Sequence, residues 1–292
     1  ENKNIYMSVN LDFRFCNVPN KRIDIERILE FIHDDNTKRI NFAYVQPYAL
    51  RPAEGIAGWL NLPFDEPFET IAKAELGYDR FLFSPKSGSS YYRRIDDVES
   101  YEKIRCFIDK YRDLVFLRDC LDLSFALSMH EDNDFNRTTI GEHEYRLKYK
   151  SDEQDTSENL AALIKLMQLR LEQLPYLAKV DYICAVPSSK PFMQEIINGL
   201  CGFTFTDISK HVSWKNKQGS LKNMEAPEEK LKLIDTWQFT VTEDVEIKGN
   251  TILLVDDMYK SGVTMQYVAM KLKELGASRV FGLALCKAKG NN

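Results

Sequence analysis

The chain has 292 residues, of which 44% are hydrophobic and 28% charged, with a formal net charge of −5. This composition describes a folded globular protein long enough for two domains rather than a disordered chain, and the acidic balance argues against indiscriminate binding to nucleic-acid backbones, which needs clustered Lys and Arg. Six cysteines without a C-x-x-C pair argue against a zinc ribbon, and with no long apolar run and no secretory leader they point to a cytoplasmic protein with free thiols and no membrane span.

Met7, Val9, Leu11, Phe13 and Phe15 alternate with polar residues and predict a half-buried strand. Ile25, Ile28, Leu29 and Ile32 trace a helix face, and Ile40 to Val45 returns as an apolar strand, giving a mixed α/β order. Tyr44, Tyr48 and Trp59 suit core packing better than base stacking. From Val98 to Met129 the spacing of Tyr101, Ile104, Ile108 and Tyr111, continued by Leu114, Leu117, Leu121 and Phe125, is helical. His130 to Arg137 is polar and aperiodic and reads as a linker, so a boundary is expected near residue 140, with an accessory α/β domain at 1–140 and a second domain at 141–292. The four histidines lack the mutual spacing of metal ligands.

Beyond the linker, Leu160, Leu163, Ile164, Met167, Leu171 and Leu174 form one apolar stripe, with Asp155 and Glu158 placed as a capping box. Tyr182 to Pro187 is a short apolar strand followed by Ser188, Ser189, Lys190 and Pro191. Lys210 to Lys232 is rich in Lys, Asn, Gln and Glu and predicts a solvated loop. Thr251 to Thr264 is the most informative stretch. Ile252 to Val255 suits a strand buried on both faces of a parallel sheet, which places Asp256 and Asp257 at its carboxyl end, the edge where open α/β sheets bind ligands. Lys260, Ser261, Gly262, Val263 and Thr264 then form a turn opening a helix, where backbone amides and hydroxyls can hold a phosphate. The paired carboxylates suit a vicinal diol and favour positive charge developing on a sugar ring. The bland alternative is an ordinary buried strand with Asp257 or Ser261 merely capping the next helix. That helix carries Val268, Leu272 and Leu275, ends at Gly276, and leads to a strand at Val280 to Leu285.

This strand, acidic pair, turn and helix resemble the phosphoribosyl-pyrophosphate signature of type I phosphoribosyltransferases. Further landmarks resemble the ComF-type competence-protein branch over about residues 144–289: Tyr145 to Tyr149 before the first helix, Tyr182 to Pro187 as the first core strand, Phe192 and Gln194, and Gln218 with Leu221 in a mobile loop. The chain departs from that branch in lacking its cysteine-rich ribbon, in a shortened loop with one cation, Lys190, and in Tyr259 and Lys260 within the turn.

The resemblance implies a parallel-sheet α/β fold with an additional amino-terminal mixed α/β domain. It implies an enzyme that takes ribose 5-phosphate from phosphoribosyl pyrophosphate, with Mg²⁺ carried on the pyrophosphate, to a base or nucleotide nitrogen. In that reading Ser188, Ser189 and Lys190 meet the pyrophosphate, Lys260 to Thr264 the 5-phosphate, and Asp256 and Asp257 the ribose hydroxyls. The alternatives are a non-catalytic module sensing phosphoribosyl pyrophosphate or a nucleotide, and a partner-controlled effector of the defence type. A homo-oligomer or a protein partner fits each of them.

Overall fold

A computed structural model describes residues 18–77, 84–85, 91–149, 153–187, 190–221 and 224–290. The strand expected at Met7 to Phe15 and the candidate residues Ser188 and Ser189 lie outside them.

The first helix, α1 (Ile25–His33), opens where the Asp24 carboxylate accepts the Arg27 amide at 2.9 Å, an ordinary N-cap. The strand after it, β1 (Arg39–Ile40), is shorter than expected. It gives way to a turn because the buried Asn41 side chain donates to the carbonyl of Asp113 and accepts from the amide of Tyr44. A small antiparallel sheet follows, built from β2 (Leu50–Ala53), β3 (Ile56–Leu62), β4 (Ser84–Pro85) and β5 (Tyr91–Ile95) in the order β2-β3-β5-β4. It packs with α2 (Phe68–Leu76) and α3 (Val98–Lys110), whose Phe68 and Phe107 rings meet edge-on at 5.3 Å.

The helix read across Val98 to Met129 holds only to Lys110. Beyond it lie β6 (Val115–Leu117) and β7 (Leu123–Met129), all of whose residues are buried. A strand covered on both faces is apolar at most positions, and the exceptions in β7, Ser124 and Ser128, fall four residues apart, so a helical spacing can be picked out of it without meaning a helix.

The remaining elements are α4 (Thr139–Tyr149), α5 (Glu153–Gln173), α6 (Pro175–Ala178), β8 (Tyr182–Ala185), α7 (Phe192–Asn198), β9 (Thr206–Asp207), β10 (Val212–Trp214), α8 (Pro227–Thr236), β11 (Phe239–Val241), β12 (Thr251–Tyr259), α9 (Val263–Glu274) and β13 (Arg279–Lys287). Asp155 lies inside α5 rather than capping it. Its carboxylate accepts from Arg146 at 2.9 Å and from Asn159 at 3.0 Å, so the expected capping box is instead a link between α4 and α5.

The central sheet has the order β1-β6-β7-β13-β12-β8-β9. All pairings from β7 to β9 are parallel, while β1 and β6 are antiparallel to their neighbours. The protein is thus mixed α/β with a mostly parallel sheet, and that sheet runs on both sides of residue 140, since β7 pairs directly with β13. One face packs Leu163, Met167 and Leu171 of α5 with Leu253, Val255 and Leu283. The other packs Ile28 of α1, Ile234 of α8 and Val268 of α9 with Ile252, Leu254 and Val280. Truncating any such fully buried leucine to alanine costs about 2–5 kcal/mol through lost burial and the cavity left behind.

The polar stretch from Lys210 to Lys232 is more structured than its composition predicts. β10 pairs with β11, and Trp214 lies edge-on to Trp237 at 5.5 Å. The Trp237 indole donates to the Gln218 carbonyl at 2.7 Å. Few apolar residues suffice here because Val212 and Leu231, with Ile234 just beyond the stretch, are all buried in the α9 face of the core. Described residues without regular structure remain between β10 and α8.

Candidate active site

The pairing of β12 with β8 ends at Val255, whereas its pairing with β13 continues to Tyr259. Asp256 and Asp257 therefore project past the end of β8 at the carboxyl edge of the parallel strands. The Asp257 amide donates to Asp256 Oδ1 at 3.0 Å. Burial, together with the adjacent Asp257 carboxylate, raises the Asp256 carboxyl well above the ordinary aspartate range, so it holds its proton longer than a solvated aspartate does.

The partner of Asp257 comes from α4. Lys148 Nζ lies 2.6 Å from Asp257 Oδ2 and also pairs with Glu144, one turn earlier on the same helix. Glu144 is only 1% exposed, and His130 Nε2 stands 3.6 Å from its other oxygen. Burial alone would lower the Lys148 ammonium, but Asp257 and Glu144 outweigh it and hold the pKa above its usual value. Two local features press α4 onto this edge. The Thr138 hydroxyl donates to the Met129 carbonyl at 2.6 Å and accepts the Gly141 amide at 3.1 Å. At Gly141 any Cβ would come within 2.1 Å of the His130 carbonyl oxygen, so only glycine permits the approach. Sequence reasoning missed Lys148 as a site residue, although it sits in the Tyr145 to Tyr149 landmark.

The turn after β12 is set by Gly262, which has φ +72° and stands at the amino end of α9 with no side-chain cap. The first amides of α9 are thereby left to an external acceptor. Val263 is buried, Ser261 and Thr264 are half-buried, and Lys260 is exposed. A Cβ at Gly262 would come within 2.2 Å of the Tyr259 hydroxyl oxygen. Tyr259 is itself fixed, donating to Asp119 Oδ2 at 2.8 Å, and burial followed by the Asp119 charge raises its phenol well above the usual value.

Lys190, the cation expected to meet pyrophosphate, is exposed. It lines an open cleft of about 390 Å³ with Val186, Pro187, Gln194, Ser209, Trp214 and Lys217. Gln194 of the Phe192 and Gln194 landmark is held by Asp207 at 2.6 Å. Among the described residues no group of three or more His, Cys, Asp or Glu is arranged to hold a metal ion, and no helix is long and apolar enough to cross a membrane.

An acidic pair at the edge of a parallel strand, followed by an uncapped glycine turn, is the arrangement on which the family comparison falls. Residues 154–291 match the phosphoribosyl transferase domain. No curated protein matches the chain. Similar solved structures include a hypoxanthine-guanine-xanthine phosphoribosyltransferase at 13% identity and TM-score 0.29, covering 46% of this chain and 65% of that one. A hypoxanthine phosphoribosyltransferase from Staphylococcus aureus is 12% identical with TM-score 0.31, covering 46% of this chain and 66% of its own. Another from Trypanosoma cruzi, in complex with the product IMP, is 14% identical with TM-score 0.32, covering 46% and 70%. The chain thus spans about two thirds of the length of these structures. Within the phosphoribosyl transferase domain lie Asp256, Asp257 and the turn, whereas Lys148 and Glu144 lie just before it.

Proposed function

We propose that this protein binds phosphoribosyl pyrophosphate with Mg²⁺ and transfers ribose 5-phosphate to a nitrogen of a base or nucleotide, as a relative of the ComF-type branch. The observation that carries the reading is the continuity of β12, Asp256, Asp257 and the uncapped Gly262 turn at the head of α9, inside the region matched by the phosphoribosyl transferase domain.

In this reading the amides of the turn and the hydroxyls of Ser261 and Thr264 hold the 5-phosphate, with Lys260 adding charge. Asp256 and Asp257 accept from the ribose 2- and 3-hydroxyls. The acceptor nitrogen attacks C1 of the ribose, the C1–O bond to pyrophosphate breaks with its electron pair leaving on the pyrophosphate, and the nitrogen loses its proton. Positive charge on the ring in the transition state is favoured by the two carboxylates. Lys190 faces the leaving group. Mg²⁺, carried on the pyrophosphate, would neutralise charge on that leaving group.

A second reading has its own observation. Lys148 already occupies Asp257, and a single lysine of the described residues stands in the shortened loop, which favours a module that senses phosphoribosyl pyrophosphate or a nucleotide without turning it over. Incubation with phosphoribosyl pyrophosphate, Mg²⁺ and a panel of bases and nucleotides, with detection of released pyrophosphate, separates the two. Acceptor-dependent release supports transfer. Tight binding without release supports sensing, and no binding at all overturns both.

A further inference from the structure

We infer that the cavity behind the phosphate turn, walled by Lys38, Arg118 and Lys287 and bordered by Lys260 and Ser261 of that turn, binds a second, single phosphate-class anion. This goes beyond the proposed transfer reaction, because it lies on the face of the sheet covered by α1 and α9, whereas Asp257 meets Lys148 of α4.

The cavity holds about 90 Å³ and is bounded by Phe31 and Ile32 of α1, by Tyr259, Lys260 and Ser261, and by Gln266 of α9, besides the remaining cations. Its lining contains four cationic side chains and no carboxylate. Asp34, which pairs with Arg118 at 2.6 Å, and Asp119, which accepts from Tyr259, lie outside that lining. A pocket with this balance concentrates positive potential against low-dielectric walls, which favours an anion.

The cations are also held in place. Lys38 Nζ donates to the Ile32 carbonyl at 3.2 Å, and Arg118 is fixed by Asp34 and by the Phe31 ring, 5.4 Å from its guanidinium carbon. Lys287 is 1% exposed, donates to the Ala288 and Gly290 carbonyls at 2.6 and 2.8 Å, and sits in the positive field of Arg39 and Lys38. Lys287 is buried and Lys38 and Arg118 are half-buried, and of these Arg118 is paired with Asp34, so holding Lys287 beside Lys38 is costly unless a further anion relieves the repulsion. The volume corresponds to roughly three water molecules. It admits a phosphate group and not a nucleoside. Two of the cations, Lys38 and Arg118, precede the phosphoribosyl transferase domain, so occupancy would join the amino-terminal part of the chain to the turn.

The test is calorimetric titration of inorganic phosphate into the full chain saturated with ribose 5-phosphate, repeated for Lys38→Ala and Lys287→Met. One further equivalent of phosphate is expected, weakened roughly tenfold or more in each variant as for a lost charged contact, while ribose 5-phosphate affinity stays unchanged. Adenosine monophosphate in place of phosphate is expected not to compete for the second equivalent, and competition would mean a nucleotide site instead and overturn the inference. No second equivalent, or one indifferent to both variants, also overturns it. If ribose 5-phosphate itself fails to bind, the proposed transfer reaction loses its cradle. Phosphate binding that still depends on Lys38 and Lys287 would then support this site alone.

Discussion

Lys148 Nζ lies 2.6 Å from Asp257 Oδ2, so an amine from a helix outside the matched domain neutralises one of the two carboxylates at the head of the turn. The same amine neutralises Glu144, which is 1% exposed. Lys148→Met is expected to cost about 3–5 kcal/mol, because it strands a buried carboxylate. The double variant with Glu144→Gln is expected to recover most of that loss. Chemical denaturation of both variants and of Glu144→Gln forms the cycle, and an additive result would show that the two side chains are not coupled.

Asp256→Asn is expected to raise stability and lower function together. The folded protein holds the Asp256 proton to higher pH than the ordinary value of 3.8, so stability falls as pH rises from about that value through the raised folded pKa. Asn mimics the protonated acid and removes this slope. Denaturation at pH 5 and pH 8 should show a variant gain that is larger at pH 8, while affinity for phosphoribosyl pyrophosphate falls. A variant less stable than wild type at pH 8 would contradict the burial argument.

At the turn, Ser261→Ala and Thr264→Ala are each expected to weaken ribose 5-phosphate binding by about 1.5–3 kcal/mol, as for hydrogen bonds to a charged group, with little change in stability. Gly262→Ala behaves differently. Its φ of +72° and the collision with Tyr259 predict a destabilisation of more than roughly 1 kcal/mol even without ligand. Thermal melts with and without ribose 5-phosphate distinguish the two classes, and ligand-free melts lowered equally by all three variants would assign the hydroxyls a structural role instead.

Burial, then the charges of Arg39 and Lys38, lowers the Lys287 ammonium from 10.5 to about 7. Below that folded value both states carry the proton and the penalty is fully present. Between about pH 7 and 10.5 the unfolded chain binds a proton that the folded chain has released, so stability rises with pH across this window. Lys287→Met is therefore expected to stabilise the protein at pH 6 more than at pH 9.5 in the absence of phosphate. Equal effects at the two pH values would mean that Lys287 stays charged when folded.

The sequence by itself determined what its local chemistry encodes. Ile252 to Val255 carries no polar residue, which suits a doubly covered strand, and the two carboxylates and Gly262 that follow mark the carboxyl end of that strand and a turn. The places of Lys190 after β8 and of Ser261 and Thr264 around the start of α9 were legible for the same reason, since each stands a short spacing from a recognisable strand. Tertiary structure decided the rest. Leu114 to Met129 became two strands of the central sheet because burial on both sides erases the period that separates helix from strand. Lys148 reaches Asp257 across 109 positions of sequence only because Gly141 lets α4 close on the end of β7. The cavity cations Lys38, Arg118, Lys260 and Lys287 come from four separate places in the chain, and no spacing rule could have joined them. Contacts between distant segments are fixed by sheet order and helix packing, which a linear pattern does not record.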